Sequence, residues 1–266
     1  MRKYIFFAAI ALLLSVWGCA GKKEITPPRQ EIPHIKAQEL IDSLLAQDTL
    51  VHNVRILGHG IYKQGKTKRG FRVGLVADRD STKLGVYLSA GFAGVFALLW
   101  LCNPDSLCIY LPMQNYAMKE PVGYDIEGVI LPPDAPVMVD MFSARSPLPR
   151  FAPHLKNCER TQSGYYLTFE KDNQTLIILA KPNPWHIDGY QWVAGGKTQQ
   201  VVDVQFKSGK MQEGTWVPEK LIVSQPALDQ EIEVTIEKYL INPQISDSLY
   251  FPKIPDDVNW YRLFEN

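Results

Sequence analysis

Leu84–Pro104, LGVYLSAGFAGVFALLWLCNP, is the stretch on which the fold turns. It holds no Asp, Glu, Lys or Arg, and a run of that length would suit a membrane-spanning helix. Gly85, Gly91 and Gly94, the polar Ser89, and the passage through the turn residues Asn103–Ser106 into a second β-type run, Leu107–Leu111, favour strand, loop, strand instead. As a strand, Val95–Cys102 is apolar on both faces, with Phe96, Leu98 and Trp100 on one side and Val95, Ala97, Leu99 and Leu101 on the other. A meander strand normally wets one face. Two dry faces require either helical cover on both sides or a cavity for an apolar ligand on one.

The flanking sequence supplies the rest of a meander. Val51–Tyr62, Arg69–Asp78 and Lys83–Leu88 precede it, joined by connectors of hairpin length. After residue 156 the same grammar resumes in Tyr165–Glu170, Thr175–Ala180, His186–Val193, Gln200–Phe206, Val217–Ser224 and Glu231–Ile241. In the last of these, Ile232, Val234 and Ile236 alternate with Glu231, Glu233, Thr235 and Glu237, giving one dry and one wet face. About eleven strands are too many for a small flat sheet, so the expected fold is mainly β with a few helices: one curled antiparallel sheet forming an unclosed barrel covered by helices. Lys36–Gln47 reads as a helix, with Leu40, Ile41, Leu44 and Leu45 at helical spacing. Residues 112–155 break the β pattern with eight prolines. They contain one short helix, capped by Asp134, with Pro136 in its first turn and Val137, Met138, Met141 and Phe142 on its apolar stripe. Four of the six methionines lie in this segment, and soft thioether side chains can repack against varied apolar shapes. That suits a lid, although an ordinary helix plugging the end of the sheet has the same composition.

Phe71, Val73, Leu75 and Ala77 share one face of their strand, and Leu84, Val86 and Leu88 share one face of the next. Pointed inward with Phe96, Leu98 and Trp100, they make a greasy concave surface, which is either a filled barrel core or a cavity wall. The candidate ligand-binding residues are therefore Phe71, Val73, Leu75, Val86, Leu88, Phe96, Leu98 and Trp100, under a lid of Met138, Met141 and Phe142. In the small-residue loop between Ser89 and Gly94, Phe92 stands alone as a large apolar side chain suited to probing a membrane or a partner, or else to tucking under the lid.

The amino terminus reads as a processing segment. Arg2 and Lys3 precede the apolar Tyr4–Leu14, and Gly18-Cys19 resembles the site at which bacterial lipoproteins are cut and lipidated. The expected organisation is a signal peptide over 1–18, a lipidated Cys19 with a proline-stiffened tether over 19–35, and a body over 36–266 with 112–155 as its lid segment. Of the remaining cysteines, Cys102 and Cys108 flank a turn that a disulfide could cross in an oxidising compartment, while three buried thiols are the blander reading.

The 28 basic and 28 acidic side chains leave no net charge, and the mature chain without Arg2 and Lys3 is slightly acidic, so nucleic acid is not an expected partner. Enzyme signatures are absent. Gly196-Lys197-Thr198 lacks the first glycine of a phosphate loop, the five histidines show no metal-ligand spacing, and no nucleophile elbow occurs. No cofactor and no catalytic residue is expected.

The opening helix, the strand pair Arg69–Asp78 and Lys83–Leu88, the apolar run before Asp105-Ser106, the Leu107–Tyr116 segment, the proline-rich middle and the closing strands around Trp216–Ile241 together resemble the LolA/LolB-like superfamily of bacterial lipoprotein carriers and acceptors. The resemblance implies an unclosed barrel whose helix-covered concave side holds acyl chains. It implies an outer-membrane lipoprotein with its body in the periplasm, lipidated proteins or lipids as cargo and a periplasmic carrier protein as a possible partner. A membrane-touching loop residue in LolB-type members maps to Phe92, where leucine is usual. The competing reading is a periplasmic sensor or scaffold on the same fold without lipid cargo.

Overall fold

Runs of alternating apolar and polar residues leave most strands one face to bury, and curling a single sheet around its own dry side buries those faces together. The computed structural model describes residues 31–90, 94–122, 134–194 and 200–261. The signal segment 1–18, Cys19, Phe92 and residues 123–133 of the lid segment lie outside these. The first meander comprises β1 (Asn53–Gln64), β2 (Thr67–Asp78), β3 (Lys83–Ser89), β4 (Val95–Asn103), β5 (Ser106–Leu111) and β6 (Tyr116–Pro121). The second comprises β7 (Leu155–Arg160), β8 (Tyr165–Lys171), β9 (Gln174–Lys181), β10 (His186–Ala194), β11 (Gln200–Gln212), β12 (Thr215–Gln225) and β13 (Gln230–Ile241). β13 returns to pair with β1, placing Val54 opposite Ile241 and Gln64 opposite Gln230. The short β14 (Asn259–Tyr261) adds in parallel to β6. The sheet is thus unclosed, with free ends at β14 and β7 and the β1–β13 seam at its middle.

All eleven expected strands are present, and β6, β7 and β14 are additional. The prolines of residues 112–155 mislead at β6 because they sit at its ends: Pro112 opens the turn before it, and Pro121 is its last residue, opposite Ser106. β7 and β14 are short, mostly exposed edge strands with no apolar alternation to announce them. The end of the expected tether also differs. Ile32 is buried, and the Tyr165 hydroxyl donates to the Pro33 carbonyl and accepts from the Ile35 amide, each at 3.2 Å, so these residues are docked on β8.

Helix α1 (Ala37–Asp48) buries Leu40, Ile41 and Leu44 in the main core. Its Gln47 donates to the Trp185 carbonyl at 2.6 Å and accepts from the Trp216 amide at 3.2 Å. Helix α2 (Ala135–Phe142) starts as its sequence dictates: the Asp134 carboxylate accepts from the Val137 amide at 2.7 Å, a cap worth about 1 kcal/mol, and proline occupies the first turn. Helix α3 (Leu148–Phe151) follows and buries Leu148 and Phe151. Against the sheet α1 meets β12, α2 meets β2 and α3 meets β8, and Leu167, Phe169, Leu176, Ile178 and Trp192 of β8–β10 are fully buried in the same core.

A charged cluster pins the helices together. The Arg79 guanidinium, 10% exposed, donates to Asp140 of α2 at 2.7 Å and to Asp48 of α1 at 2.6 Å, and it also caps the Asp48 and Val51 carbonyls. Arg150 of α3 reaches the second oxygen of Asp140 at 3.3 Å. Burial works against the charge on Arg79, but Asp140 and Asp48 outweigh it and raise its pKa above the ordinary value. Arg79, one residue past β2, thereby ties α1 to α2, and Asp140 extends the tie to α3 through Arg150.

Cys102 and Cys108 form a disulfide across the β4–β5 turn, so the buried-thiol reading is corrected for this pair. Cys158 is free and half-buried.

Candidate functional site

Register fixes which side chains face the concave side of the first meander. Val73 lies opposite Leu88, and Leu88 opposite Ala97; Leu75 lies opposite Val86, and Val86 opposite Leu99. Directly paired residues point to the same face, so these six form two parallel apolar rows. On the other side of β2, Phe71 is opposite Gly60. A Cβ on Gly60 would stand 2.4 Å from the Phe71 ring, so the missing side chain is what lets that ring lie across β1. Ile232, Val234 and Ile236 of β13 continue the surface, and Met141 and Phe142 of α2 roof it.

These walls enclose a cavity of about 360 Å³. Its lining is apolar except for Arg69 and Tyr62 at one end. The volume falls in the range of roughly 300–1,000 Å³ usual for small-molecule sites, and an apolar cavity of even about 150 Å³ stays dry and accepts apolar guests. The filled-core and vacant-cavity alternatives thus both hold in part: Leu167, Phe169, Leu176, Ile178 and Trp192 of β8–β10 are fully buried in the main core, and the space opens against β1–β5, β12 and β13.

Of the sequence-derived wall residues, Phe71, Val73, Leu75, Val86, Leu88 and Phe96 line this cavity. Leu98 and Trp100 do not. They project from the opposite face of β4 into a second cluster with Cys108, Tyr110, Ala117, Ile254 and Val258, beneath the carboxy-terminal segment. The cause is a bulge: the β3–β4 register passes from Leu88–Ala97 to Ser89–Val95, leaving Phe96 as the extra residue, which turns inward while Leu98 and Trp100 face outward. Ala97 and Leu99, assigned by alternation to the other face, are wall residues. The two dry faces of β4 therefore each have their own cover. In the lid, Met141 and Phe142 meet the cavity, whereas Met138 is fully buried in the main core and is no part of the wall.

Sequence reading missed Ile56, Leu221, Val223 and the two polar rim residues. It also missed Glu120 on β6, which is 1% exposed and has neither oxygen bonded to a described residue. Burial pushes this carboxyl above its usual range. A separate polar depression of about 430 Å³ lies over the Arg79 cluster, between His52, Asp80 and Arg150. Among the described residues no His, Cys, Asp or Glu group is arranged to hold a metal ion, and no helix is long and apolar enough to cross a membrane.

No family model matches the chain, and no curated protein matches it in sequence. Solved structures match in fold. A domain described as an outer membrane lipoprotein-sorting protein from Vibrio parahaemolyticus superposes with a TM-score of 0.56 at 7% identity, covering 80% of this chain and 97% of that one. A LolA superfamily protein from Nitrosomonas europaea gives 0.55 at 8%, covering 82% and 98%. A DUF1329 family protein from Desulfovibrio piger gives 0.51 at 9%, covering 80% and 96%. The chain has the LolA/LolB-like fold.

Proposed function

We propose that this chain is a membrane-tethered lipoprotein that binds acyl chains of lipids or lipidated proteins in the concave cavity, as a carrier or acceptor at the outer membrane and without covalent catalysis. The observation that supports this reading is the apolar space of about 360 Å³ under the α2 roof. Each methylene moved from water into such a space gains about 0.8 kcal/mol, so a short chain already supplies a useful affinity. In this reading Cys19 carries the lipid anchor, residues 19–31 form the tether, and the body faces the periplasm.

Native mass spectrometry of the protein extracted from membranes tests the proposal. Co-purifying lipid, displaceable by a fluorescent fatty acid, is the expected result. A ligand-free body that refuses such probes would instead favour a sensor or scaffold on this fold. For the membrane-touching role of Phe92, Phe92→Glu is expected to slow transfer of a bound acyl probe to vesicles at least tenfold while leaving uptake unchanged. Unaltered transfer removes Phe92 from the mechanism.

A further inference from the structure

We propose that the cavity takes a single-chain amphiphile whose anionic head, a carboxylate or a phosphate, is held in the fork of Arg69 at the mouth. This rests on the acyl-binding reading and narrows it to a class of ligand.

The first support is a gradient along one strand. Arg69, Phe71, Val73 and Leu75 alternate onto the same inner face of β2, and their exposure falls steadily from an open Arg69 through a half-buried Phe71 to Val73 and Leu75 at 9% and 5%. The charge stands at the wet end and the oily surface runs inward from it. Laterally, Arg69 is opposite Tyr62, Tyr62 opposite Ile232, and Ile232 opposite Val223, so one row across four strands forms the rim. The Tyr62 hydroxyl in that row donates to Gln64 at 2.9 Å.

The second support is the missing counter-charge. Two basic residues of the outer face are paired, Lys63 with Glu231 at 2.5 Å and Arg72 with Glu237 at 3.6 Å. Because Ile232, Val234 and Ile236 point inward, the alternating Glu231, Glu233 and Glu237 all point outward, away from Arg69. Among the described residues Arg69 is the one charged side chain lining the cavity, and none of the ion pairs formed there involves it. A guanidinium presents paired N–H donors that match a carboxylate or phosphate two at a time, and it stays charged at any relevant pH.

The third support is size. A space of about 360 Å³ lies at the low end of the roughly 300–1,000 Å³ that small-molecule sites span, which suits one alkyl chain rather than several.

The test uses the full chain with Cys19→Ala, so that no lipid is attached, and titrates dodecanoate, dodecyl phosphate, dodecanol and dodecyltrimethylammonium below their aggregation concentrations. Both anions are expected to bind about tenfold more tightly than the alcohol, with the preference shrinking as salt rises because the rim is exposed. Arg69→Gln should abolish the preference while keeping alcohol affinity, and Arg69→Glu should transfer it to the ammonium. Dodecanoate preferred over dodecyl phosphate, or the reverse, identifies which head the fork fits. Equal affinity for all four probes overturns the head-group proposal and leaves the acyl site standing. Failure of every probe to bind overturns both.

Discussion

Arg79→Ala is expected to cost about 3–5 kcal/mol of folding stability, the usual effect of removing one partner from a buried ion pair. The loss of attraction is the smaller part. Asp140 and Asp48 are 2% and 5% exposed, and without the guanidinium both carboxylates are left desolvated with few donors, while the Asp48 and Val51 carbonyls lose their caps. Equilibrium urea unfolding of the variant measures this directly. Asp140→Ala should cost a similar amount, and the double variant far less than the sum, since the residues act as one network. Replacing Arg79, Asp48 and Asp140 together by Met, Leu and Leu should recover much of the stability, because apolar packing often equals a buried ionic cluster. A change below about 1 kcal/mol in Arg79→Ala would mean that the cluster is effectively solvated and does not pin the helices.

Ala97→Trp is expected to reduce acyl-chain affinity by about a hundredfold or more, by occupying space that several methylenes would otherwise fill at about 0.8 kcal/mol each. Apart from Gly70, Ala97 has the smallest side chain in the wall, so the substitution adds much volume while deleting almost no existing contact. Two readouts make it informative. An oversized residue forced into a packed core costs about 1–3 kcal/mol, whereas filling a vacancy is neutral or stabilising by about 0.5–2 kcal/mol. Lost probe binding together with an unchanged or raised melting temperature is the expected pair of results. Unchanged binding would place the acyl site elsewhere, and clear destabilisation would show the space to be less open than about 360 Å³.

Strand positions in this chain are legible because burial on one face imposes a period of two, and runs such as Ile232–Ile236 state that period plainly. The apolar rows of β2 and β3 follow from the same rule. Legibility ends where the rule is locally broken. A single bulged residue, Phe96, reverses the faces of everything after it on β4, and no composition signal marks a bulge. Prolines at strand ends look like prolines inside loops, which hid β6. The Arg79 network joins positions 48, 79, 140 and 150, whose proximity exists only after folding. Arg69 reads as one more surface cation of a solvated hairpin until its register places it on the inner face.

The seam between β1 and β13 sets the order in which the molecule can be made. Val54 meets Ile241, and the cavity draws Ile56 from one side of that seam and Ile236 from the other. Bringing such distant positions together adds little to the equilibrium cost, because loop-closure entropy grows only logarithmically, but high contact order slows the search. No pocket exists in a nascent chain that stops short of β13. In the proposed function, ligand capture therefore waits on β13, and an early-terminated product, unable to bury its greasy half-shell, is a natural client for chaperones or proteases.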